Sequence, residues 1–308
     1  MKSLKVYRMS HHQNKENAFK QALTSRGWYE SRYIRSNSVA FGLFDADWRA
    51  GDIEDLKGKP YFLYPHAARP MVQYDGCVVP RKDCRAMFVS APAGMYLMKK
   101  IGYPCEVVEV GWSLTEIRSF RARESVKSIC FAPIHPNANG YLNQVDKDLN
   151  YRTLERLTEY CHNNGAKLSI RCIGEPELSG LPDVSGCSFI EMHQGVKDSS
   201  TNDILKNDLV VAHQTFAYMA VALGVPTVMM GEDIAPRSGN TDDSFIYSAN
   251  FEKYRDYLAF PLDILNGDPE KVIRIAIEGS EAVEDWKQRF IGKPFLPDYF
   301  VDCIEERL

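Results

Sequence analysis

The segment from Asp208 to Gly231 leaves this chain few folding options. Asp208-Leu-Val-Val-Ala212 is a β-branched apolar run, Gln214 to Leu223 is an apolar helix closed by Gly224, Pro226 breaks the chain, and Thr227-Val-Met-Met230 is apolar again. Two buried strands joined by a helix with such short connections form a βαβ crossover, and crossovers of this kind belong to parallel sheets covered on both faces. An α/β architecture follows, and with it a rule about ligands: open parallel sheets bind them at the carboxyl ends of their strands.

The same alternation runs through the rest of the chain. Strands are expected over 4–9, 38–44, 60–65, 85–90 and 105–110, with helices over 15–25 and 94–101. Further along, strands at 128–133, 167–173 and 188–192 and an amphipathic helix at 150–164 precede the crossover, and helices at 251–265 and 269–290 follow it. At 308 residues the chain is long enough for two domains. The expected cut falls before Val126, giving an N-terminal domain of 1–125 and a C-terminal domain of 126–308 that keeps the last helices.

Composition excludes several classes. With 44% hydrophobic and 25% charged residues the chain is globular, and it contains no apolar run near the roughly 20 residues of a membrane helix. The polar start MKSLKVYRMSHHQNKENAFKQ has no signal-peptide core, so a cytoplasmic location is expected. Eight cysteines are scattered without a Cys-x-x-Cys pair, which indicates neither a disulfide framework nor a zinc site.

The net charge of −4 conceals a division. Residues 1–125 carry 20 Lys or Arg against 13 Asp or Glu, a net +7, whereas residues 126–308 carry 17 against 28, a net −11. A basic domain concentrates anionic ligands; equally, oppositely charged halves attract each other.

Several strand ends carry candidate chemistry. His213, Gln214 and Thr215 stand at a helix N-terminus behind a buried strand, where free N–H groups and the helix dipole favour phosphate; capping the helix is the plain alternative for His213 or Thr215. The loop Ala132-Pro-Ile-His-Pro-Asn-Ala-Asn-Gly140 offers His135 between two prolines. Arg171, near the end of the 167–173 strand, either meets a phosphate or pairs with an acidic neighbour. Glu232 and Asp233 follow the last crossover strand and either accept ribose hydroxyls or stand solvated in a turn. In the first half His66 follows a strand and suits a general base, with Asp45 and Asp47 as competitors. Neither Gly-x-Gly-x-x-Gly nor Gly-x-x-x-x-Gly-Lys-Ser/Thr follows any strand, which argues against dinucleotide dehydrogenases and P-loop NTPases.

The order of a strand, a His-Pro loop, a helix, a strand with Arg, then Asp-Leu-Val-Val-Ala-His-Gln-Thr and Ala-Val-Ala-Leu-Gly-Val-Pro-Thr-Val resembles the donor-binding domain of GT-B glycosyltransferases. The likeness is to the group containing nucleotide-sugar 2-epimerases and CDP-glycerol polyol-phosphate transferases, and it covers Val126 to about Asp233. It implies two Rossmann-like domains facing a cleft, and an enzyme that takes a nucleotide-diphosphate sugar, a UDP-sugar first among them, as co-substrate with no bound cofactor or metal. His213, Gln214 and Thr215 would then hold the donor diphosphate, Glu232 or Asp233 the ribose or sugar, and His135 and Arg171 would lie near the cleft. The N-terminal domain would hold the acceptor and supply the base, His66 before Asp45 and Asp47. Where relatives carry Ser-Ser or Ser-Gly-Gly this chain has His213-Gln-Thr215, which suits a transferase better than an epimerase.

In that architecture the +7 half is the acceptor domain, so an anionic acceptor is expected, contacted by Arg69, Arg81, Lys82, Arg85, Arg118 and Arg121, with Lys99, Lys100 and Arg123 nearby. Hydroxymethylated DNA, the substrate of phage-type base glucosyltransferases, leads the candidates, and its target base would have to be flipped out. The alternatives are a hydrolysing 2-epimerase, a polyol-phosphate transferase, and a noncatalytic nucleotide or nucleic-acid binding module. The sequence leaves the oligomeric state open.

Overall fold

The computed structural model describes residues 5–9, 18–31, 39–45, 58–64, 83–100, 102, 104–134, 144–172, 188–191, 199–230, 257 and 259–308. They form two Rossmann-like α/β units, one comprising Met1–Leu114 and Gln288–Leu308, the other Thr115–Lys287. Every strand pairing in both is parallel.

The first unit holds β1 (Lys5–Met9), β2 (Tyr29–Glu30), β3 (Val39–Asp45), β4 (Tyr61–Tyr64), β5 (Cys84–Val89) and β6 (Val107–Glu109), in the order β2-β1-β3-β4-β5-β6. Helices α1 (Ala18–Ser25) and α2 (Pro92–Lys100) cross between strands. Its core is aromatic. Phe41, Phe62 and Phe88 stand on adjacent strands with ring centroids 5.7 and 5.5 Å apart, and Trp28 meets Phe41 edge-on at 4.8 Å.

The second unit has β7 (Ser128–Ala132), β8 (Lys167–Cys172), β9 (Ser188–Glu191), β10 (Leu209–Ala212) and β11 (Thr227–Met229), in the order β11-β10-β7-β8-β9. Its helices are α3 (Gln144–Asn164), α4 (Ser199–Leu205), α5 (Gln214–Ala222), α6 (Pro269–Glu278) and most of α7 (Glu281–Phe290). The α5 helix ends as the sequence suggests. Val225 N–H donates to Ala220 O at 3.0 Å and Gly224 N–H to Val221 O at 3.1 Å, with Gly224 at φ +72° in the left-handed region. No larger residue fits there, since a Cβ on Gly224 would lie 2.1 Å from Ser119 O.

The chain departs from the expected organisation in three places. Helix α8 (Pro297–Glu305), where no helix is expected, belongs to the first unit and not to the expected 126–308 domain. Its apolar face buries Phe300, Val301, Cys303 and Ile304, with Phe300 4.9 Å from Phe88 and 5.0 Å from Phe19. On its acidic side Asp302 and Glu305 accept from Arg26 at 2.8 and 3.1 Å. The segment 115–125, expected in the first domain, lies on the second unit instead: Arg118 N–H donates to Ala222 O at 2.8 Å, Arg121 N–H to Gly224 O at 3.0 Å, and Lys287 Nζ to Arg118 O at 2.6 Å.

The third departure is in the helices after the crossover. Residues 259–268 are not helical. Pro261 removes a donor, Asp263 takes its own chain's Leu265 N–H at 2.8 Å and Asn266 amide at 3.0 Å, and the backbone pairs with Met229 on both sides. The expected 269–290 helix is two, α6 and α7, divided at Gly279 with φ +99°.

Because Phe300 fills the centre of the first unit's core, Phe300→Ala is expected to cost about 3–5 kcal/mol in chemical unfolding. A loss under about 1 kcal/mol would show that the C-terminal helix is not part of that core.

Candidate functional site

In the second sheet β7 and β10 are neighbours, but the chain leaves β7 toward β8 and leaves β10 toward β11, on the opposite side. Their last residues, Ala132 and Ala212, are register partners. Connections that diverge from adjacent strand ends open a crevice, and it is there that doubly wound sheets bind ligands.

One lip of this crevice is the start of α5. Leu209 to Ala212 are wholly buried, which fixes the point where the chain emerges. His213 is the N-cap, extended at φ −120° and ψ 145°, and its side chain makes no capping hydrogen bond, so the capping alternative is not adopted. Thr215 is half-buried in the first turn, and that turn contains no acidic residue. The first-turn N–H groups have no intrahelical acceptor, and the dipole adds partial positive charge, so the place suits an anion. The Gln214 side chain lies outside the described residues.

The other lip is the chain leaving β7, clamped by Asn150. This amide, 1% exposed on α3, donates to Ile134 O and accepts from Ile134 N–H, both at 2.8 Å. Ile134 directly precedes His135, which itself lies outside the described residues. Sequence reading did not single out Asn150, because it placed the start of the helix at residue 150, whereas α3 begins at Gln144.

Arg171 supports the α5 terminus from behind. Its buried guanidinium donates to Asp203 at 3.1 Å and to Ser200 at 2.9 Å, and stacks 4.4 Å over the ring of Phe216 in the first turn of α5. Of the two outcomes expected for Arg171, the ion pair is the one formed. The stacked, neutralised guanidinium braces the helix end.

Met230 N–H donates to Ala212 O at 3.3 Å, which carries β11 to the same end of the sheet; Glu232 and Asp233, just beyond, lie outside the described residues. In the first unit Asp45 closes β3 in register with Tyr64 at the end of β4, so the strands leading to Asp47 and to His66 finish side by side. The side chain of Asp45, and Asp47, His66, Arg69, Arg81 and Lys82 entire, are outside the described residues. The order of this sheet marks a second divergence, between β1 and β3. It directs attention to Ser10-His11-His12, which follow β1 and which only strand order, not local pattern, could have indicated.

The basic residues do not share one unit. Arg85, Lys99 and Lys100 are exposed on the first; Arg118, Arg121 and Arg123 belong to the second, where Arg118 bonds Glu116 and Arg123 faces Asp208 at 3.5 Å. Recounted by unit, the first has 20 Lys or Arg against 15 Asp or Glu, net +5, and the second 17 against 26, net −9. Among the described residues no cluster of His, Cys, Asp and Glu could hold a metal ion, and no helix is long and apolar enough to cross a membrane.

A cavity of about 250 Å³ lies elsewhere, at the amino end of β11, walled by Phe120, Val221, Val225, Leu262 and Ala276. Its one lysine, Lys287, gives its ammonium to Arg118 O. The apolar lining and the distance along the strand from Met230 separate it from the crevice.

Asn150→Ala would leave both polar groups of buried Ile134 without partners. It is expected to cost about 2–4 kcal/mol in urea unfolding, and an unchanged midpoint would mean that the lip is held by other contacts.

No protein-family model matches the chain, and no curated protein matches it in sequence. Solved structures do. Over 100% of both chains it is similar to a structure described as the glycotransferase of kitacinnamycin, at 13% identity and TM-score 0.54. It is also similar to MurG of Acinetobacter baumannii, over 98% of this chain and 99% of that one, at 13% identity and TM-score 0.51. The wall teichoic acid polymerase TagF matches over 98% and 89%, at 12% identity and TM-score 0.52. At such identities the likeness speaks of fold: the chain has the fold of the GT-B glycosyltransferases.

Proposed function

We propose that the protein is a glycosyltransferase that moves a sugar from a nucleotide-diphosphate sugar, with a UDP-sugar the first to test, to an acceptor hydroxyl. One observation carries the reading: at the divergence of β7 and β10 an α-helix begins beside His213 and Thr215, with no acidic residue in its first turn. Glycosyl transfer breaks the anomeric C–O bond and places negative charge on the departing diphosphate. The N–H groups of the helix end, His213, Gln214 and Thr215 stabilise that charge as it grows, which is where catalysis gains most. Glu232 or Asp233 accepts ribose or sugar hydroxyls, and His135 completes the opposite lip. His66, or Asp45 or Asp47, takes the acceptor proton as the hydroxyl attacks.

The acceptor is read as anionic from the net +5 of the first unit, with Arg85, Lys99 and Lys100 exposed and Arg69, Arg81 and Lys82 close by in sequence. Hydroxymethylated DNA is the polyanion to try first, and its binding should weaken steeply with salt. Arg118 and Arg121 do not contribute to this surface in the reading, since they belong to the other unit.

Polyol-phosphate transfer is the second reading, favoured by the likeness to TagF. The two differ in the bond broken. Glycosyl transfer releases a nucleoside diphosphate, whereas polyol-phosphate transfer cleaves the pyrophosphate and releases a monophosphate. A hydrolysing epimerase would release diphosphate without any acceptor, and a binding module would release nothing.

A thermal-shift panel of UDP-, CDP- and GDP-sugars tests the proposal, because a ligand that binds only the folded chain raises Tm; at a hundredfold excess over Kd the stabilisation is about 2.7 kcal/mol. One donor class is expected to give this shift, and His213→Ala with Thr215→Ala to weaken its binding about ten- to a hundredfold. An unaltered shift in the double variant would remove the assignment.

A further inference from the structure

Cys84 and Cys105 meet at the end of the first sheet remote from the strand carboxyl ends. Cys84 opens β5, and Cys105 stands two residues before β6, in the turn behind Pro104; β5 and β6 pair in parallel. Their Sγ atoms are 3.7 Å apart and both residues are half-buried, whereas Cys130, Cys161 and Cys303 are buried. Neighbouring strands stand about 4.8 Å apart, within the span a disulfide bridges, so the sulfurs need to approach by less than about 2 Å to reach bonding distance.

The two thiols are unequal. Hydrogen bonding to Cys105, and then burial, push the Cys84 thiol far above its ordinary range. The same hydrogen bond, helped by the Met87 N–H, pulls Cys105 below its own, against burial and the charge of Glu106. Burial, opposed by the charge of Arg171 and aided by that of Asp203, pushes Cys130 up to about 12, as befits an inert core thiol.

We propose that Cys84 and Cys105 are a redox-active dithiol, a modification site at which a low-molecular-weight disulfide such as oxidised glutathione converts the facing pair to an internal disulfide. Cys105 Sγ, as thiolate, attacks one sulfur of the oxidant, forming a mixed disulfide and expelling one glutathione thiolate. Cys84 then gives up its proton, and its sulfur attacks Cys105 Sγ and expels the second glutathione. The two protein thiols lose two electrons and two protons; the oxidant becomes two thiols. The new bond ties the start of β5 to the start of β6 around α2, so it stiffens the first unit without reaching the strand carboxyl ends.

The test incubates the folded full chain with oxidised glutathione, traps remaining thiols by alkylation, and maps unreduced peptides by mass. The expected product is a peptide pair joining Cys84 to Cys105, lighter by two hydrogens than the separate peptides and parted by dithiothreitol, in a chain with raised Tm. Cys84→Ser should stop at a persistent glutathione adduct on Cys105, and Cys105→Ser should lose the adduct. Folded wild-type chain that gives only glutathione adducts, or leaves both thiols unmodified, would overturn the proposal. Phenylarsine oxide, which bridges paired thiols, supplies a second readout on unaltered protein: it should shield both cysteines from alkylation together, and shielding of neither also overturns the assignment.

Discussion

The parallel pairing of β7 with β10 is the constraint on which the second unit turns, and one carboxylate secures it. Asp208 Oδ2 accepts from the N–H groups of Lys127 and Ser128 at 3.0 and 3.1 Å and from Ser128 Oγ at 3.1 Å, which fixes the two strands at their amino ends. With that register set, Ala132 and Ala212 finish together at the other end. The crevice follows from topology, since one chain end turns toward β8 and the other into α5. A slip of one residue would turn every β10 side chain to the other face.

What stands at the crevice is organised by polar groups that are themselves satisfied inside the fold. Asn150 holds the exit of β7, and Arg171, neutralised by Asp203, braces the first turn of α5 through Phe216. The helix is fixed at its far end too, where only glycine at 224 allows the backbone of Ser119 to approach. A terminus clamped at both ends keeps its N–H groups aimed in one direction before any ligand arrives. Such preorganisation is what makes oriented dipoles effective against charge that develops during a reaction.

Local pattern made some of this legible. The β-branched run at 208–212, the apolar helix and Gly224 identify the crossover and its binding end directly, because those signals act over a few residues. Strand order does not, and neither does the role of Asn150, which depends on a carbonyl and an amide 16 positions earlier in the chain. The amphipathic face of α8 is visible in Phe300-Val-x-Cys-Ile304, but its partner, Phe88, is far away in sequence, so local pattern leaves this segment in the second domain and without a helix. At 259–268 side-chain bonds from Asp263 overrode helical periodicity. The charge division survives the corrected boundary, as +5 and −9 in place of +7 and −11, although Arg118, Arg121 and Arg123 pass to the second unit and Arg289 and Arg307 to the first.

The central claim is that the start of α5, at the divergence of β7 and β10, receives a nucleoside diphosphate. Hydrogen–deuterium exchange of the full chain with and without saturating UDP, or whichever nucleotide the thermal panel selects, tests it most directly. The account predicts slowed exchange at residues 214–216. Binding that protects other regions, such as the apolar cavity walls at 221–227, and leaves 214–216 unchanged would contradict it.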